Sequence, residues 1–188
     1  MIPLYLAGPA VEPVGVAKMR DLLRLEHTDE DALLGTLLKA ARLVIEATTR
    51  LVVLEQSWRI ALERAPADGV VRLPLAPIRA VSEVRVYDAA GAPAVLAAAD
   101  WRLETRADPA KVILAGAGLE AEGGLEIDLT AGYGAAPEAA PAPLVQAIRL
   151  LAAHWFENRG DAPPQTEKAS LPLDVAALVA PFRRLRMG

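Results

Sequence analysis

The chain of 188 residues is 53% apolar, carries a formal net charge of −4 and contains no cysteine. That length and apolar content support one domain with a core, or one domain with an insert, and the missing cysteines exclude disulfides, thiolate metal sites and cysteine nucleophiles. The acidic balance argues against a protein whose main task is gripping phosphates, and no apolar run reaches the roughly 18 residues of a membrane span.

Met1-Ile2-Pro3-Leu4-Tyr5-Leu6-Ala7-Gly8-Pro9 is apolar but short and lacks the basic start of a leader, so it is expected to be an extended arm within residues 1–15. Val16, Met19, Leu22 and Leu23 then fall on one side of a short helix. Thr28 with Asp31 resembles a capping box, and a second helix is expected from about Asp29 to Arg50. Its apolar stripe is Leu34, Leu37, Leu38, Ala41, Val44, Ile45 and Thr48. Arg42, Glu46 and Arg50 recur at four-residue spacing and read as a charged outer face. Such a ladder is ordinarily solvated; its functional alternative is a contact between subunits.

After Leu51 the period drops to two. Trp58, Ile60 and Leu62 share one side of a strand, Asp68-Gly69 marks a turn, and Val70 to Leu73 is a short strand closed by Pro74 and Pro77. Val84 and Val86 alternate with Arg85 and Tyr87 in the next strand, which ends in the turn Asp88-Ala89-Ala90-Gly91. Trp101 to Leu103, Lys111 to Leu114 and Leu125 to Thr130 are further short strands. Strands this close together, with no helix between them, give an antiparallel arrangement.

Thr130-Ala131-Gly132-Tyr133-Gly134 closes the β region, and a third helix follows from Pro141 towards Gly160. Leu144, Ile148, Leu151 and Trp155 form its apolar face. A polar linker with Pro163 and Pro164 leads to an Ala-rich helical segment, Leu173 to Leu185, interrupted by Pro181. The fold expected is therefore α+β: a mainly α-helical core of three to four helices with an inserted antiparallel β subdomain. The core takes residues 16–53 and 135–160, the insert 54–134, and a linker with a docking segment 161–188.

No catalytic constellation emerges, so an enzyme is not expected, nor any cofactor or metal. Gly116-Ala117-Gly118-Leu119-Glu120-Ala121 formally fits a dinucleotide fingerprint, but Gly123 and Gly124 break the helix it requires and no βαβ unit surrounds it. His154 and Glu157 could share a metal but lack a third ligand on their face, leaving His154 as a helix-packing residue. Phe182, Arg183, Arg184 and Arg186 form the densest basic cluster, an ordinary cationic helix end or a docking surface.

The order of short motifs resembles the head–tail connector (adaptor, or head-completion) proteins of tailed bacteriophages, in the version also carried by gene transfer agents. The resemblance rests on Glu12-Pro13, the acids from Thr28 to Asp31, Gln56-Ser57-Trp58 and the Leu-Pro-x-x-Pro-Ile run from Leu73 to Ile78. Val81 to Val84, the turn from Thr130 to Gly134, and Pro141 to Ile148 with His154 to Arg159 complete it. It implies a structural protein of the virion head–tail junction, assembled in the bacterial cytoplasm. A homo-oligomeric ring, typically twelve-fold, would sit under the portal protein, extend the DNA channel without sequence-specific binding, and meet the stopper or tail. Docking on the portal would fall to Phe182, Arg183, Arg184 and Arg186, and neighbour contacts to Arg42, Glu46 and Arg50. The alternatives are a stopper or tail-terminator protein, which should be mostly β, and a DNA-binding packaging accessory, which should show a basic face.

Overall fold

The structure, a computed structural model, describes residues 1–116, 122–158 and 171–183. The chain divides into two units: Met1–Pro9 with Glu55–Tyr133, and Ala10–Leu54 with the described part of Gly134–Gly188.

Apolar and charged residues alternate most cleanly in β8 (Gly124–Ala131), where Leu125, Ile127, Leu129 and Ala131 are buried and Glu126 and Asp128 are not. This strand is the centre of a five-stranded antiparallel sheet. Its order is β1 (Ile2–Ala7), β2 (Gln56–Leu62), β8, β4 (Ile78–Tyr87), β5 (Pro93–Val95). Ile127 pairs with Ile60 on one side and Val84 on the other, so three fully buried β-branched residues form one row across the sheet. Burying each such side chain is worth about 1.5–3 kcal/mol. A second antiparallel sheet has the order β3 (Val70–Arg72), β7 (Lys111–Leu114), β6 (Trp101–Glu104) and buries Val71, Val112 and Leu114.

The turns follow their side chains. Asp88 Oδ1 accepts from the amides of Ala90 and Ala92, and Gly91 takes φ 82°.

The other unit contains α1 (Val16–Leu23), α2 (Asp31–Thr49), α3 (Ala142–Glu157) and α4 (Leu173–Val179). α2 buries Leu34, Leu38, Ala41, Ile45 and Thr49, and α3 buries Leu144, Ala147, Ile148, Leu151, Ala152 and Phe156. The two helices pack together, and α4 lies on α3 through Val175 and Val179. On α3 the buried aromatic is Phe156, with Trp155 half-buried.

The expected mainly α-helical core with an inserted β subdomain is not what forms. Among the described residues there are four α-helices and eight strands in two antiparallel sheets, about 34% helix and 28% strand, so the fold is antiparallel and β-rich. The physical reason is that β1 and β5 contain no alternation to read. Ile2–Ala7 is a continuous apolar run and Pro93–Val95 is three residues long, yet each finds a partner strand. Within the expected arm, the extended run Ile2–Ala7 forms an edge strand. The capping box does not form either. α2 begins at Asp31 with no side-chain cap, and the Asp31 carboxylate pairs with Arg20 at 3.1 Å.

Candidate functional site

The residues expected to carry contacts lie on α2 and around α4. On α2, Arg42 follows Leu38 by four residues and precedes Ile45 by three, so helical geometry puts it on the buried face. Its side chain is 1% exposed. Arg42 Nε donates to Glu12 Oε2 at 2.7 Å and Nη2 to Glu12 Oε1 at 3.1 Å, a two-pronged pair, while Nη1 donates to Glu46 Oε2 at 2.9 Å. The other Glu46 oxygen accepts from the amide of Val53 at 2.8 Å. One guanidinium therefore ties the segment before α1, the helix α2 and the chain leaving it.

Two of the three expected outer-face residues are thus interior. Arg42 and Glu46 do not form a solvated ladder; the guanidinium is bonded by the Glu46 and Glu12 carboxylates within the unit, as a buried ion requires. Arg50 alone is exposed, closing the helix in a left-handed conformation at φ 61°. The side of α2 turned to solvent instead carries Leu33, Leu43, Val44 and Lys39. Glu12 was the partner that spacing could not reveal, although the position of Arg42 between Leu38 and Ile45 is a legible sign that it needed one.

Next to Glu12, the segment Val11–Val16 faces Gly35 and Leu38 of α2 and Pro137 across a shallow apolar cleft of about 450 Å³. Its lining is mostly aliphatic, with Lys18 and Glu12 as its charged members, and the Glu12 carboxylate is already paired with Arg42. This surface suits protein contact better than chemistry.

Beyond α4 the chain makes one 3-10 turn, Ala180–Phe182, which leaves Phe182 half-buried and Arg183 exposed. Arg184 and Arg186 lie outside the described residues, as do residues 117–121 of the glycine-bearing fingerprint. His154, expected in helix packing, is exposed, and its carbonyl accepts from the Asn158 amide group at 2.7 Å. Among the described residues no group of three or more His, Asp or Glu is placed to hold a metal ion, and no helix is long and apolar enough to cross a membrane.

The polar face of the five-stranded sheet holds a second charge array that the sequence did not single out. Arg59 stands opposite Asp128 and bonds it twice, at 2.6 and 2.7 Å. Arg85 bonds Glu126 at 3.0 Å and also Glu83, and Tyr87 gives its hydroxyl proton to Glu126 at 2.9 Å. The hydrogen bonds from Arg59 hold the Asp128 carboxyl below the ordinary carboxylate range, and Asp128 in turn raises Arg59. Both shifts favour the charged forms of this pair, and the bonds of the array join β2, β8 and β4 across the sheet.

No protein-family model and no curated protein matches the chain. Solved structures do. A chain in the neck of an empty gene transfer agent particle, computed with C6 symmetry, is similar at a TM-score of 0.80 and 34% identity, covering 100% of this chain and 97% of that one. The neck of the native particle, computed with C12 symmetry, gives a TM-score of 0.79 at the same 34% identity and the same 97% coverage. The virion of the native particle gives 0.80, again at 34% identity.

Proposed function

We propose that this chain, which belongs to the phage-like neck proteins of gene transfer agent particles, is the adaptor of such a neck: a structural subunit, not an enzyme, repeated in a ring beneath the portal. The observation that supports this reading is the likeness at 34% identity over 97% of the neck chain, which extends through both units of the fold. The ring is twelve-fold, sits in the virion at the head–tail junction, and hands the DNA channel on to the stopper or tail. A net charge of −4 suits a conduit through which DNA slides without sticking.

Docking on the portal is assigned to Phe182 and Arg183, continued by Arg184 and Arg186. A half-buried aromatic followed by the exposed Arg183 offers an anchor and a charge to an acidic surface. Contact with the next subunit is assigned to Arg50, with Arg42 and Glu46 holding α2 in place behind it.

Deleting the gene tests the reading: electron micrographs should show capsids and separate tails that fail to join. Normal tailed particles would overturn it. The eight strands favour a second reading, a stopper-type neck subunit placed one layer further from the capsid. Cross-linking in assembled particles separates the two, since an adaptor is captured with the portal and a stopper is not. Charge reversal at Arg183 and Arg184 should abolish portal binding; unchanged binding would sink the docking assignment. A gel shift at physiological salt should show little affinity for free duplex, whereas a packaging accessory would bind it.

A further inference from the structure

β1 and β5 are the two outer strands of the five-stranded sheet, and among the eight described strands they are the two without a charged residue. An outer strand presents unpaired amides and carbonyls, and folded proteins usually blunt such an edge with charge. Here charge is missing from both edges, and what limits them is Pro3 with an irregularity after Tyr5 in β1, and Pro93 in the three-residue β5. Every residue of β1 is exposed, Ile2 at 61% and Leu4 at 43%, although the Tyr5 ring stands edge-on to Trp58 at 5.0 Å and fixes the strand in register. Val95 of β5 is 61% exposed.

The main chain of β5 is set for a further strand. Leu96 donates its amide to Val84 and Ala92 accepts from Asp88, so the even-numbered residues bond β4 and Val95 turns its amide and carbonyl to the open side. Pro93 turns the same way, at a place where its missing N–H breaks no existing bond.

A closed ring of identical chains needs two different surfaces on each copy, one meeting the other on the next. On the neck reading given above, we propose that β1 of one copy is covered by the next copy of this chain, adding to the open side of its β5. Two uncharged strands can meet without stripping water from an ion, which the rest of the sheet surface, with Arg59, Glu83, Arg85, Glu126 and Asp128, does not offer.

Because the chain has no cysteine, introduced ones report alone. Particles carrying Leu4→Cys together with Val95→Cys, treated with a short bis-maleimide, should yield a ladder of this chain joined to itself, and neither single variant should. In unsubstituted particles, amide exchange over residues 2–7 and 93–95 should slow by about tenfold or more relative to the free chain. Exchange at the free-chain rate, or capture of Leu4→Cys on the portal or a tail protein instead, overturns the inference while leaving the neck reading intact. Absence of the chain from particles overturns the neck reading itself.

Discussion

Arg42 and Glu12, thirty residues apart, form a bidentate ion pair in which the guanidinium is 1% exposed and the carboxylate 27% exposed. A cation this deep is tolerable only while its acceptors stay in place, because removing one partner strands a buried charge. The pair therefore acts as a latch: it fixes the segment before α1 on the flank of α2, with Glu46 as its second acceptor.

Replacing Arg42 with Met should cost about 3–5 kcal/mol, since it removes the guanidinium that both the Glu12 and Glu46 carboxylates accept from. Glu12→Gln should cost less, about 1–2 kcal/mol, because Glu46 still holds the guanidinium and the lost carboxylate is partly solvated. Urea unfolding of the two variants measures both. A cost for Arg42→Met below that of Glu12→Gln would show that the latch is not what holds this region.

Asp128 makes stability depend on pH at the acid end. Its folded carboxyl titrates below the ordinary 3.8 because Arg59 bonds the ionised form. A group lowered in this way contributes its full stabilisation above 3.8 and loses it as pH falls from there through the folded value. Asp128→Asn should accordingly cost about 1 kcal/mol at pH 7 and flatten the acid limb of stability against pH. An unchanged acid limb in the variant, followed by chemical denaturation between pH 7 and 2, would refute the assignment.

The helix α3 should separate its two faces cleanly. Ile148 is fully buried, and Ile148→Ala should cost about 2–5 kcal/mol through lost contacts and the cavity left behind. His154 is exposed, so His154→Ala should stay within about 0.5 kcal/mol of the parent. Thermal unfolding of both distinguishes this arrangement from one in which His154 packs in the core.

What the residues disclosed in advance was periodic or punctuated. The stripe Leu144, Ile148 and Leu151 reads at helical spacing and is buried, and the turn at Asp88 to Gly91 reads from its side chains and closes a hairpin. What stayed hidden depends on partners distant in the chain. Ile2–Ala7 becomes a strand because β2 is there to receive it, and no local pattern says so. Arg42 reads as a surface cation by residue type, and its interior place depends on Glu12, thirty residues away, together with Glu46. The array of Arg59, Asp128, Arg85 and Glu126 follows from strand register, which charge pattern alone does not set. The docking cluster read from Phe182 onward owes nothing to periodicity; only Phe182 and Arg183 of it lie among the described residues.

Two glycines near the end of β4, Gly91 in the turn to β5 and Gly123 just before β8, should respond differently to the same change. Gly91 takes φ 82° with open space around it, so Gly91→Ala meets backbone strain alone, about 1 kcal/mol. At Gly123 an added methyl would stand 2.0 Å from the carbonyl oxygen of Asp88 and 3.0 Å from its carbon, both main-chain atoms that cannot swing aside. The Gly123 amide also donates to the Tyr87 carbonyl at 2.9 Å, so relieving the clash means parting the ends of β4 and β8. Gly123→Ala should therefore cost about 2–3 kcal/mol, more than Gly91→Ala, and quicken amide exchange at Tyr87 and Leu125 ahead of the sheet centre. Equal costs for the two variants in a denaturation series would mean that the strands do not approach as closely at Asp88 as the geometry states.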